Sequence, residues 1–200
     1  AAYFHGNWFS FFHSWSLSMT LGIVAYVWYL NQFIVAARPS YWDRLYGLDK
    51  MYRFHGLMAA FATVAVIGHI ILKRLTFPRI TTQQALGAAA VTLFVAVTVA
   101  TVIFMVENKI ARAKPLRRLR RYAAERLRWQ YHHFRTFHNL VVIAAFLVLA
   151  HVLLAFSTRE TNARIAVIVV WFVVALGLYA QRKVIRPARA KKAPFRVAGV

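Results

Sequence analysis

Five long runs that are almost free of charge divide this chain, and they constrain its fold more than any other feature. A helix needs about 20 mostly apolar residues to cross the hydrocarbon core of a bilayer. Such runs occupy 15–37, 54–72, 85–106, 134–156 and 165–180, each bounded by charge, proline or a polar cluster. The reading is an all-α membrane protein, a bundle of five spanning helices. Composition agrees. The 200 residues are 60% hydrophobic with a mean hydropathy of +0.52, outside the range of soluble domains and far from that of disordered chains. The aromatic-rich start, Ala1 to Ser14, reads as an interfacial approach. There is no cysteine, which excludes disulfides, thiolate metal sites, iron–sulfur clusters and cysteine nucleophiles. Chemistry falls to the eight histidines.

Lys and Arg number 26 against five acidic residues. In a five-span chain, four basic residues in 38–53, ten in 107–135 and seven from Arg182 onward share one side. Only Lys73, Arg74, Arg79, Arg159 and Arg164 occupy the other. The positive-inside rule puts the crowded side, and with it the C-terminus, in the cytoplasm. The run Arg117-Arg118-Leu119-Arg120-Arg121 then belongs to a solvated loop at the lipid surface, and nucleic acid is not expected as a partner. Spans two and four both run outward.

Four histidines lie in those two spans, His55 and His69 in the second and His138 and His151 in the fourth. An ionisable residue inside a span is costly and marks function by default. The surroundings repeat, Phe54-His55-Gly56-Leu57 against Phe137-His138-Asn139-Leu140. Fourteen residues of helix rise about 21 Å and thirteen about 19.5 Å, so one pair falls near each face of a ~30 Å core. Neutral imidazole is a good axial ligand for haem iron. Two bis-His haems fit, His55 with His138 on the cytoplasmic side and His69 with His151 on the outer side.

Azimuth is less regular. Fourteen steps at about 100° leave His55 and His69 on one face. Thirteen steps leave His151 about 140° away from His138 on an ideal helix, so the fourth span needs a distorted turn or haems of different bearing. His133, five whole turns before His151, is the alternative ligand. Haem propionates are anionic and call for cations at each face. Arg53 and Arg135 lie close to the inner ligands, and Lys73, Arg79 and Arg159 close to the outer ones. Gly56 and Gly68 adjoin ligands, Ala62 and Ala145 leave room midway, and Phe61 and Phe146 are placed to lie between the two levels. His5, His13 and His132 read as interfacial residues.

The paired spacing on two spans resembles the ferric reductase / NADPH oxidase transmembrane domain. The segments Gly47-Leu48-Asp49-Lys50-Met51-Tyr52-Arg53-Phe54-His55 and Tyr131-His132-His133-Phe134-Arg135-Thr136-Phe137-His138-Asn139-Leu140 are similar to bacterial members, over about residues 16–200. The unequal pair of spacings is usual in that family. The resemblance implies two b-type haems carrying electrons outward from cytosolic NAD(P)H, through FAD, to an external acceptor, oxygen or ferric iron, in a bacterial inner membrane. It implies a six-helix bundle whose first helix is missing upstream. It also implies a cytosolic flavin and nicotinamide module, in the same chain or as a partner subunit. No G-x-G-x-x-G fingerprint occurs, but Ala193-Pro194-Phe195-Arg196-Val197 resembles the opening strand of that module's flavin barrel. The expected organisation is a haem-binding membrane domain over 1–183, then a cytosolic linker and the possible start of a flavin domain over 184–200.

Two other readings compete. A quinol-reacting di-haem cytochrome b also places four histidines on two parallel spans, but its second spacing is one residue longer. A transporter or a cofactor-free structural bundle requires all four histidines to be incidental, and a colourless purified protein would favour it.

Overall fold

The structure is a computed structural model, described here for residues 12–76, 81–104, 113–126, 128 and 131–192. Every regular element among the described residues is helical: α1 (Ser14–Ala37), α2 (Ser40–Thr76), α3 (Thr82–Phe104), α4 (Lys114–Arg126), α5 (Tyr131–His138), α6 (Val141–Leu153), α7 (Phe156–Arg159), α8 (Asn162–Ala180) and α9 (Arg186–Lys192), the last two joined by a π-helical turn over Gln181–Ile185. This is what the apolar runs dictate. Lipid offers no hydrogen bonds, so a single-segment span must satisfy its own backbone, and a helix does so. Five helices are long and apolar enough to cross a membrane: Ser14–Ala37, Arg44–Thr76, Thr82–Phe104, His132–Leu153 and Asn162–Arg189. They correspond one to one with the five runs of the sequence; the fourth ends at Leu153, three residues short of Phe156, which opens α7. His5, Arg79, Val106 and the segment 193–197 lie outside the described residues.

Local chemistry sets the boundaries. His13 precedes α1, and its Nδ1 accepts from the Trp15 amide at 3.3 Å. At the far end Arg38 turns left-handed (φ 49°), its N–H donating to the Val35 carbonyl at 3.1 Å, and Pro39 bars any continuation. Inside α2, Gly47 sits at φ 71°, ψ 162° and breaks the helix into two pieces. Only glycine occupies that region cheaply. Thr81 and Gln84 form a capping box at the start of α3, the Thr81 hydroxyl accepting from the Gln84 amide (3.3 Å) and the Gln84 side chain from the Thr81 amide (3.4 Å). Thr161 caps α8.

The helices form two compact units. One joins α1, the α2 span and α8, from residues 1–79 and 157–200; the other, residues 80–156, joins α3, α4, α5 and α6. In the first, α1 is the middle helix, with a buried stripe that includes Ser18, Ala25, Tyr29 and Gln32. Trp28 of α1 stacks on Phe61 of α2 at 4.3 Å. The Tyr26 hydroxyl donates to the Ile168 carbonyl of α8 at 3.1 Å, and Phe33 packs edge-on to Tyr179. Arg164 is buried at the start of α8; it donates to the Ser157 carbonyl at 2.7 Å and pairs with Glu160. That pairing is what allows a charge there at all. In the second unit α3 packs along α6, Phe104 stacks on Phe134 of α5 at 3.9 Å, and Arg120 of the basic helix α4 donates to the Ile103 carbonyl in the last turn of α3. A cation at a helix C-terminus meets the negative end of its dipole.

A candidate haem-ligating histidine set

Each unit carries two of the four span histidines. All four are half-buried, whereas His132 and His133 are exposed and lie ring against ring at 3.8 Å. His133 thus stands in a different environment from His138.

On α2, His69 leans on α1. Its Nδ1 lies 2.7 Å from the Ser18 carbonyl oxygen, and the Ser18 hydroxyl lies 3.3 Å from the same nitrogen. One turn further along α1 is Gly22. A Cβ there would come within 2.9 Å of His69 Nδ1 and 3.0 Å of its Cε1, closer than side chains tolerate.

The same device recurs in the other unit. His151 Nδ1 lies 2.7 Å from the Gln83 carbonyl oxygen of α3. Four residues on is Gly87, where a Cβ would sit 2.7 Å from His151 Nδ1 and 2.8 Å from its Cε1. Ser18 with Gly22 and Gln83 with Gly87 are therefore equivalent seats, each on the helix that supports a histidine-bearing one. His138 finds a third acceptor on α3, with Nδ1 2.9 Å from Thr101 Oγ1.

These contacts fix protonation. A carbonyl can only accept, so Nδ1 of His69 and of His151 must carry the proton. The Thr101 hydroxyl gives its single proton to the Val97 carbonyl at 2.7 Å, so it too accepts from His138 Nδ1–H. In neutral imidazole the other nitrogen then holds a lone pair. In three of the four histidines Nε2 is thereby the nitrogen with acceptor character. A metal-bound histidine almost always donates its other ring N–H to a carbonyl, carboxylate or water, and the donor set here fits bis-imidazole ligation of haem iron. Among the described residues no three His, Asp or Glu side chains converge as a bare metal ion would need; haem asks the protein for two.

The bearing of His138 has a structural origin. The fourth span breaks after His138. Asn139, Leu140 and Val142 donate to Thr136, Phe137 and Asn139, three residues back, at 3.0 Å each, and the ordinary pattern resumes at Ala144. Each tightened residue turns about 20° more than an α-helical one. Three together recover about 60° of the ~140° by which thirteen ideal steps miss a common face. About 80° of the mismatch is left, so the two rings keep different bearings on the fourth span.

The remaining expected residues fall as follows. Arg53, Arg135 and Arg159 are exposed. Lys73 is half-buried with its ammonium 5.7 Å from the Trp15 ring centroid, a cation–π contact. Arg79 lies outside the described residues. Gly56 has open space around it, while a Cβ at Gly68 would meet Leu21 at 2.9 Å, so Gly68 serves the contact between α1 and α2. Ala62 and Ala145 are buried; Phe146 is exposed, and Phe61 is held against Trp28. Sequence reasoning missed Ser18, Gly22, Gln83, Gly87 and Thr101. Polar or glycine residues inside apolar runs were the available signal, at positions whose partners are 37 to 68 residues away.

Comparisons with models of known families, with curated proteins and with solved structures found no match.

Proposed function

We propose that this chain is a transmembrane electron-transfer domain that holds two b-type haems, His55 with His138 and His69 with His151. The observation that carries the reading is a contact pattern: histidines inside helices long and apolar enough to span, three of them with Nδ1 2.7–2.9 Å from an acceptor oxygen, which leaves the lone pair on Nε2. When bound, each haem supplies a one-electron iron(III)/iron(II) couple. The protein's share is positioning. Ser18 and Gln83 carbonyls and the Thr101 hydroxyl hold the rings and raise their basicity. Gly22 and Gly87 let the rings approach the supporting helices. Arg53, Arg135, Lys73, Arg79 and Arg159 are assigned to propionates at the two faces.

In this reading the C-terminus is cytoplasmic in a bacterial inner membrane. The donor is a cytosolic FAD and NAD(P)H module, joined to the chain or separate. The acceptor at the outer face is oxygen, reduced by one electron to superoxide, or ferric iron. The chain is then the membrane part of an oxidoreductase resembling the ferric reductases and NADPH oxidases. Paired variants test it. His55→Ala and His151→Ala should each lose one of two haems, counted by pyridine haemochrome on purified protein. Unchanged haem content in both variants would remove the ligand assignment.

A further inference from the structure

Helix α4 takes no part in the ligand set. Its 13 residues carry six basic side chains against one acidic, Glu125, and they sort into three strips. Leu116, Arg120 and Ala123, at i, i+4 and i+7, form the inner strip. Ala123 is buried, Leu116 and Arg120 are half-buried, and Arg120 donates to the Ile103 carbonyl in the last turn of α3. Lys114, Arg117, Arg118 and Arg121 share the opposite strip and are all exposed. On the flank between the two, Leu119 and Tyr122 are 42% and 57% exposed.

The contact with Ile103 sets the depth of this helix. α3 has 23 residues and is long and apolar enough to span. That is about 34 Å of helix across a ~30 Å core, so its last turn reaches the headgroup level. Arg120, the middle of α4, is held there. The exposed strip then needs an anion. Its cations stand three and four residues apart, and like charges at those spacings weaken a helix. A helix this short is marginal in water even without that repulsion. Guanidinium groups bind phosphate as forks, and an arginine-rich helix with an apolar flank is suited to lie in the plane of a membrane surface.

We propose that α4 is an interfacial helix that binds anionic phospholipid, with Leu119 and Tyr122 in the bilayer and Lys114, Arg117, Arg118 and Arg121 on the lipid phosphates. This goes beyond the electron-transfer reading and does not depend on haem.

The test uses the full chain in vesicles of phosphatidylcholine and phosphatidylglycerol. The chain has no cysteine, so Tyr122→Cys and Arg117→Cys can each carry a single fluorophore. The Tyr122→Cys label should be quenched by a nitroxide on the lipid chains and shielded from aqueous acrylamide; the Arg117→Cys label should show the reverse. The second readout is the preference of the protein boundary for spin-labelled phosphatidylglycerol over spin-labelled phosphatidylcholine, by electron paramagnetic resonance. Arg117→Gln, Arg118→Gln and Arg121→Gln together should cut that preference about fivefold or more, since one basic residue at the surface already contributes roughly that factor. Lysine at the same three positions keeps the charge and should keep the preference. The basic residues of 38–53 and of the tail remain in every variant, so the difference belongs to α4. An unchanged preference in the glutamine variant overturns the proposal, as do equal losses in the glutamine and lysine variants. A Tyr122→Cys label reached by acrylamide and not by the lipid nitroxide overturns it even if the glutamine variant fails to fold; α4 would then stand in water, as a helix that docks an acidic protein would.

Discussion

Gly87→Ala adds one methyl group to α3 where the structure has no room for it. The new Cβ would lie 2.7 Å from His151 Nδ1, 2.8 Å from Cε1 and 3.2 Å from Cγ. Ordinary contact begins near 3.4 Å, so the ring or the helix must yield by about 0.7 Å. The ring has little freedom, because its Nδ1 is bonded to the Gln83 carbonyl at 2.7 Å. A retreat of that size stretches the bond to the edge of the hydrogen-bond range. Losing it costs about 0.5–1.5 kcal/mol, and overpacking costs a further ~1–3 kcal/mol. Better helix propensity returns only about 1 kcal/mol. The net expectation is a destabilisation of about 1–3 kcal/mol, together with a positive shift in the midpoint of the outer-level haem. Thermal unfolding and redox titration read the two effects. Gly177→Ala is the control: a Cβ there meets nothing within 4 Å, and the same propensity term should leave it neutral or up to about 1 kcal/mol more stable. A Gly87→Ala protein that melts no lower than Gly177→Ala and keeps both wild-type midpoints would refute the seat.

Three further outcomes follow from the same structure. Gly22→Ala meets His69 Nδ1 at 2.9 Å and should act on the same haem as Gly87→Ala, in the same direction and less strongly. Separate haems responding to the two variants, read by redox titration, would break the pairing of His69 with His151. Thr101→Val removes the acceptor of His138 at almost constant shape and should raise the midpoint of the inner-level haem, whereas Thr101→Ser should restore it; equal potentials in both would leave the Thr101 contact without effect on the ligand. Gly47→Ala has no steric conflict, but its φ of 71° forces an L-residue into strain of about 1–3 kcal/mol, so a thermal melt should fall relative to Gly177→Ala, and an unchanged melt would show that the chain straightens there freely.

The spanning helices were legible in the sequence because the bilayer imposes a length and excludes charge, and both are local properties. The tightened turn after His138 was legible only in part: thirteen steps left either a distortion or two bearings open, and the three tightened bonds at Asn139, Leu140 and Val142 recover less than half of the mismatch. The seats were not. Ser18 and Gln83 act through backbone carbonyls, which leave no trace in residue identity. Gly22 and Gly87 look like any small residues in a membrane helix, and the neighbouring Gly56 and Gly68 drew attention only by standing beside ligands in sequence. Thr101 was visible as a polar residue in an apolar run, but which helix face it occupies depends on antiparallel packing between distant segments. The break at Gly47 was hidden because a glycine in a helical stretch does not disclose its φ.

The central claim is that the span histidines hold haem. A dithionite-reduced minus air-oxidised absorption spectrum of the purified chain, expressed with adequate haem supply and quantified as pyridine haemochrome, tests it directly. The account predicts two b-type haems per chain. A protein without a Soret band would contradict it and favour the transporter or structural bundle.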